Sequence, residues 1–328
     1  MAILKRDINF MGPGKRKLTA CISAVFLIVA ILSLAINRVE LGLDFSSGTL
    51  IEVGYPQAVN PEDVRQDLVA AGYDEAVVVN FGSDREVLVR LPAPDAEDEQ
   101  AASAAVNLGD EILQILRSAS GEGVEMRRSE YVGPAIGAEL AEQGGLALLV
   151  ALGIVMLYVA FRFQYKFAVG AVFALMHDVL IVLGVVSLFR LTFDLTVLAA
   201  LLAVIGYSLN DTIVVFDRAR ENFRTMRSGD SEFILNTTLN QVLSRTVVTS
   251  FTTLLALFSM LIMGGEAIKG FAVALIVGVA VGTYTSLHIS CNFLMYLKIS
   301  KEDLMVPVKE GGEDGNDPQS PPSMPWQG

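Results

Sequence analysis

Six stretches of the chain are almost wholly apolar, at residues 18–36, 144–161, 167–189, 195–216, 246–263 and 271–297. Each approaches or meets the roughly 17–25 residues an α-helix needs to cross a bilayer. Three of the gaps between them are short. A fourth, 217–245, reads as a basic loop (Arg218, Arg220, Arg224, Arg227) running into the fifth span, and 37–143 is an insertion the size of a domain. The flanks 1–17 and 298–328 are polar, the latter with the Gly, Pro, Asp and Glu content of a disordered tail. The pattern predicts a polytopic α-helical membrane protein with six transmembrane helices and a soluble domain between the first and second.

Within the insertion, 49–53 is a short β-branched run, and Asn60-Pro61 opens a helix that stops at Gly72. Strands are expected at 76–80 and 86–91 around a turn at 81–84. After a linker at 92–95 comes a helix with Ile112, Leu113, Ile115 and Leu116 on its apolar positions, then a strand over 124–132. The order βαββαβ predicts a ferredoxin-like α+β fold of about 100 residues. Its boundaries are turns at 42–49 and 133–137. There Gly42, Asp44, Gly48, Gly133 and Pro134 serve either as plain linkers or as a hinge carrying membrane motion outward.

Charge then orients the chain. Lys5, Arg6, Lys15, Arg16 and Lys17 precede the first span, Arg162 and Lys166 follow the second, the four loop arginines follow the fourth, and Lys298 and Lys301 follow the sixth. The opposite short loops hold Arg190 and Lys269 alone, so both termini are expected in the cytoplasm and 37–143 outside. The insertion carries 21 acidic against 7 basic residues, a net of −14 within a chain total of −12. So acidic an outer domain excludes nucleic acid as a natural partner. Cys21 and Cys291 lie inside spans, which leaves the outer domain no disulfide. The basic residues before span one and Ser33-Leu34-Ala35 imitate a signal peptide. The apolar run is longer than the roughly 7–15 residues of a signal core, so retention as an anchor is expected.

The strongest chemical signal is charge inside the spans, where an uncompensated ion costs about 2.5–3.5 kcal/mol on insertion scales. His177 and Asp178 fall in the middle of the third span, Asp211 late in the fourth and Arg245 at the start of the fifth. At 1.5 Å per residue, Asp211 is roughly 24 Å and Arg245 roughly 27 Å from the outer surface, while Asp178 is about 16 Å from the inner one. Asp211 and Arg245 therefore share a depth at which they can pair. Gln241, Arg245, Thr249 and Thr252 recur as one polar helix face, and Ala199, Ala203, Gly206 and Asn210 as a small-residue face. Gly278 and Gly282 have the GxxxG spacing of close helix packing. Two readings of Asp211 and Arg245 stand side by side. One is an ion pair that fixes register. The other is a proton or ion relay supported by Asn210, Gln241 and Thr249; in its proton form Arg245 approaches and leaves a carboxyl that binds and releases a proton. His177 and Asp178 are secondary candidates for the relay, an internal hydrogen bond being the plainer reading. Neither a metal nor a cofactor is expected.

Gly42-Leu43-Asp44-Phe45 with Gly48-Thr49, Ala174-Leu175-Met176-His177-Asp178-Val179, the run 205–218 around Asn210-Asp211, and Leu243-Ser244-Arg245-Thr246 resemble the SecF family. These are protein-export membrane subunits of the RND superfamily, and the likeness covers residues 18–297. The resemblance implies an RND-type half bundle in the bacterial inner membrane. It also implies partnership with SecD in a SecDF complex, association with the SecYEG translocon and with YajC and YidC, unfolded preproteins as substrate, and use of the proton-motive force without enzymatic catalysis. It puts Asp211 and Arg245 at the family's proton-transport positions, with an acidic partner supplied by SecD. The family usually has two glycines after Asp-Phe-x, and here Ser47 stands in place of the first.

Other functions meet obstacles. An intramembrane aspartyl protease needs two carboxyls sharing one proton, whereas Asp178 and Asp211 differ in depth. An RND-type exporter of small molecules or lipids generally has much larger outer domains than 37–143. A passive scaffold leaves the buried charges without a task.

Overall fold

The structure, a computed structural model, describes residues 8–93, 99–226, 228–300 and 303. Helix α1 (Pro13–Ile36) opens on proline, whose missing N–H is no loss in a first turn. A one-turn helix α2 (Leu43–Ser46) leads into strand β1 (Gly48–Gly54). Helix α3 (Pro61–Ala70) is capped by the Asn60 side chain, which accepts from the Glu62 N–H. Then come β2 (Val77–Phe81), β3 (Ser83–Leu91), α4 (Glu99–Ser120) and β4 (Glu125–Val132). The sheet is antiparallel with the order β2-β3-β1-β4. Alternation puts Ile51, Val53, Val87, Val89 and Leu91 on one face, covered by Val64 and Leu68 of α3 and by Ile112, Leu113 and Leu116 of α4. The βαββαβ order expected for the insertion is present, with α2 added ahead of it.

The chain then enters α5 (Pro134–Arg162), α6 (Tyr165–Leu188), α7 (Leu195–Thr225), α8 (Ser231–Met263) and α9 (Lys269–Tyr284). A π-helical turn (Thr285–Ile289) joins α9 to α10 (Ser290–Tyr296), making one continuous rod. Among the described residues, six helices are long and apolar enough to span a membrane: α1, α5, α6, α7, α8 and that rod. The middle of the bundle is α6 and α7, whereas α1, α5 and α8 turn Val25, Phe26, Leu149, Phe251 and Ile262 outward, as lipid-facing helices do.

Two expectations need correction. The loop at 217–245 is mostly helix, since α7 runs on to Thr225 and α8 begins at Ser231 behind its Asp230 cap. Hydropathy misses these ends because they are amphipathic. Phe223, Ile234, Leu235 and Leu239 enter a common core, while the Asn222 amide donates to Thr238 Oγ1 and Gln241 Oε1, at 2.9 Å each. The turn at 133–137 is helical from Pro134 onward, with Gly133 as its N-cap, so α5 carries the chain from the outer domain into the bundle unbroken. Lys5, Arg6, residues 94–95 of the linker, Arg227 and the tail apart from 298–300 and 303 lie outside the described residues.

Candidate functional site

Asp211 is on α7, packed toward α8 and only 4% exposed. The Ser250 hydroxyl and the Arg245 guanidinium, both of α8, are the polar groups that bear on it. No ion pair joins Asp211 to Arg245 among the described residues. Asp211 Oδ2 is buried and has no hydrogen-bond partner, and neither does Thr246 Oγ1 on the facing helix. Around Ser250 a hydroxyl cluster closes the seam. Thr283 Oγ1 donates to Ser250 Oγ at 2.7 Å, and the Tyr207 phenol lies 3.3 Å from Thr253 Oγ1.

The supporting residues are less uniform. Gln241, Arg245, Thr249 and Thr252 are all exposed in the isolated chain, and so are Ala199, Ala203, Gly206 and Asn210 of α7. Gln241 is engaged by Asn222, and the Thr249 hydroxyl returns to the carbonyls of Arg245 and Thr246 at 3.0 Å. Thr249 thus satisfies itself along its own helix and has no hydroxyl proton to offer Asp211.

His177 and Asp178 form a separate cluster on the α6 side of α7, 2% and 0% exposed. His177 Nε2 is 2.5 Å from Ser23 Oγ of α1, and its Nδ1 is 3.2 Å from Thr285 Oγ1 and 3.3 Å from Asp178 Oδ1. Ser208 of α7 donates to Asp178 Oδ2 at 2.5 Å. One turn further along α7, Thr212 Oγ1 lies 3.0 Å from Ser286 Oγ in the π turn. Of these, Ser23, Thr285 and Ser286 carried no signal in the sequence. A hydroxyl in an apolar span normally bonds back to its own helix, and a π turn has no sequence signature.

Three of the hinge candidates, Gly42, Asp44 and Gly48, are tightly held where the inserted domain meets the bundle. Gly42 N–H donates to Phe193 O and Phe193 N–H to Glu40 O, both at 2.7 Å, and Phe45 stacks on Phe193. Asp44 Oδ2 accepts from Leu195 N–H at 2.9 Å, adding an anion to the N-terminus of α7 beside the Asp194 cap. Arg90 of β3 donates to Leu41 O at 2.8 Å and to Ser46 Oγ. Gly48 has φ of +125°, and a Cβ there would stand 2.2 Å from Leu91 O, so only glycine fits. Gly42 and Asp44 thereby tie the outer domain to the helix that carries Asp211.

The profile described as protein export membrane protein SecD/SecF, C-terminal, matches residues 112–300. The protein translocase subunit SecF of Pseudomonas aeruginosa is 48% identical over 301 residues, covering 92% of this chain and 94% of that one. Its counterpart in Vibrio alginolyticus is 48% identical over 313 residues, covering 94% and 96%. The counterpart in Escherichia coli O157:H7 is 39% identical over 284 residues, covering 87% and 86%. The crystal structure of SecDF, a translocon-associated membrane protein from Thermus thermophilus, superposes with a TM-score of 0.79 at 37% identity, covering 91% of this chain. SecDF in a super-membrane-facing form superposes at 0.64 with the same identity and coverage. The chain spans 40% of each of those SecDF chains.

Proposed function

This chain belongs to the SecD/SecF family of protein-export membrane proteins, on its SecF side, and from that premise we propose that it couples proton entry to preprotein movement at the outer membrane face. The reading makes it the SecF subunit of a SecDF complex in the bacterial inner membrane. Both termini are cytoplasmic, 37–143 is periplasmic, and SecYEG, with YajC and YidC, is the neighbouring machinery. Protons are its coupling ion, and no covalent step is assigned to it.

The observation that carries the proposal is the Asp211 carboxyl, buried on α7 with one oxygen unpartnered. It lies beside α8, whose Arg245 is exposed in the isolated chain. A buried ionised carboxyl with one oxygen unpartnered is costly, and a guanidinium turned toward lipid is costly too. Both costs fall when SecD covers that flank and supplies its acidic group. The pair then has two states. With Arg245 close, Asp211 is stable as the anion; with Arg245 away, it is stable only as the acid. Protons binding from outside and leaving inside would drive the exchange. One charge crossing the field is worth about 2.3 kcal/mol per 100 mV, a shift of roughly fiftyfold in a two-state equilibrium. Motion of α7 reaches the periplasmic domain through the Asp44–Leu195 and Gly42–Phe193 bonds.

The test is preprotein release from spheroplasts or inverted vesicles containing assembled complexes with Asp211→Asn or Arg245→Met. The expected result is loss of the proton-motive-force-dependent component, by at least about tenfold in rate (~1.4 kcal/mol), with unchanged subunit assembly. Release that stays normal and still depends on the force would remove the relay role and leave a scaffold.

A further inference from the structure

We infer that His177 and Asp178 act as a positioning clasp for the segment of α7 that bears Asp211, and not as a second proton station. The inference rests on the coupling role just proposed for Asp211, and it comes from the contrast between the two buried carboxyls. Asp211 keeps one oxygen without a partner. Every side-chain oxygen and nitrogen of His177, Asp178, Ser23, Ser208, Thr212, Thr285 and Ser286 is engaged, and all of these residues are 5% exposed or less. The cluster takes one hydroxyl from each of three directions onto α6: Ser23 from α1, Ser208 from α7 and Thr285 from the π turn.

Geometry directs the consequence to α7. Ser208 precedes Asp211 by three residues, one helical turn, and its hydroxyl is bound at 2.5 Å to Asp178. The π turn holds the same stretch from another side, since Ser286 Oγ donates to Ser208 O at 3.4 Å and lies 3.0 Å from Thr212 Oγ1. A widened turn lets the adjacent hydroxyls of Thr285 and Ser286 reach α6 and α7 at once. Gly282 permits the approach: a Cβ there would sit 3.1 Å from Ser208 Oγ and 3.5 Å from Asp178 Oδ2. The residues flanking Asp211, Ser208 and Thr212, are thus fixed from α6 and from the π turn.

Of the charged groups on elements packed against α7, Arg245 of α8 is the one that bears on Asp211; Tyr284 and His288 lie on the rod, Arg162 at the end of α5 and Tyr207 on α7 itself. Tyr284 and His288 stack on each other, the phenol bonding to Thr19 O of α1, and Arg162 pairs with Asp217. Arg245 is therefore the variable charge at Asp211, and the clasp fixes the geometry in which Arg245 meets it.

The experiment is pH-dependent infrared difference spectroscopy of the assembled complex. The carboxyl band that disappears in Asp211→Asn reports that group directly, whether or not it carries protons. Ser208→Ala removes one clasp hydroxyl at little change in volume, and Asp178→Asn removes the charge and replaces one of the two acceptor oxygens with a donor. Each is expected to move the midpoint of the Asp211 band by about one pH unit, a ~tenfold change in proton affinity. Ser208→Thr is expected to restore it. A midpoint in Ser208→Ala within about 0.2 units of the parent would overturn the inference, even if Asp178→Asn fails to fold. So would a second band, lost in Asp178→Asn, that titrates as protons flow. If the midpoint moves as expected while Asp211→Asn leaves proton-driven release intact, the clasp stands and the relay role of Asp211 fails.

Discussion

Ser47 adopts φ 57° and ψ 166°, a backbone region that glycine populates freely and other residues reach only under strain. It is held there because Ser47 N–H closes α2 onto Leu43 O while Gly48 turns at once into β1. The strain should cost on the order of 1–3 kcal/mol. Ser47→Gly is therefore expected to raise stability by about 1 kcal/mol, less the entropy glycine returns to the unfolded chain, read as a higher midpoint in denaturant unfolding. Ser47→Val is expected to lower it. The resemblance placed a glycine at this position; the structure shows the conformation that glycine serves. Charge at the candidate site was likewise legible, because Asp211, His177 and Asp178 each interrupt an apolar run and Arg245 heads one. Their grouping was not. Depth arithmetic cannot tell which side of a helix faces which neighbour, so it left His177 and Asp178 as secondary candidates for the relay, whereas their hydrogen bonds run to Ser23, Ser208 and Thr285.

Among whole helices, the close approach of α9 to α7 is set by two glycines one turn apart. A Cβ on Gly278 would stand 2.1 Å from Val204 Cγ2, and one on Gly282 would press on Ser208. Gly278→Ala is expected to cost about 1–3 kcal/mol through overpacking of this seam, measured as a fall in the thermal midpoint of the detergent-solubilised complex. Gly145→Ala on α5 is the contrasting case. Nothing lies within 4 Å of its Cβ position, so the better helix propensity of alanine should leave stability equal or slightly higher. The six spans, the GxxxG spacing and the strand and helix order of the outer domain could all be read from periodicity. The inner extensions of α7 and α8 and the start of α5 could not, because their stabilising contacts are between helices. Asn222 with Thr238 and Gln241, and Gly137 lying against the Ser47 backbone, are invisible to a window sliding along one segment.

For the molecule as a whole, its surfaces divide into two kinds. The outward sides of α1 and α5 carry large apolar residues such as Val25, Phe26, Leu149 and Leu157, which lipid covers without penalty. The flanks of α7 and α8 present instead Ala199, Ala203, Gly206 and Asn210, and Gln241, Arg245, Thr249 and Thr252. Small residues let another helix backbone come close, and polar ones require protein or water opposite them. The function proposed above assigns this surface to SecD; the chain spans 40% of each of the SecDF chains it superposes on. Gly206 tests the assignment cleanly, because, its own helix backbone and chain neighbours aside, nothing among the described residues lies within 4 Å of its Cβ position. Gly206→Leu should leave insertion and folding of the isolated subunit intact while reducing co-purification with SecD by at least about tenfold, ~1.4 kcal/mol of association. Leu149→Trp, an equally bulky change on the lipid-facing side, should leave co-purification unaltered. Equal recovery of SecD with both variants would mean that the Arg245-bearing flank is covered by something else, and the acidic group completing the Asp211 site would then have to be sought outside SecD.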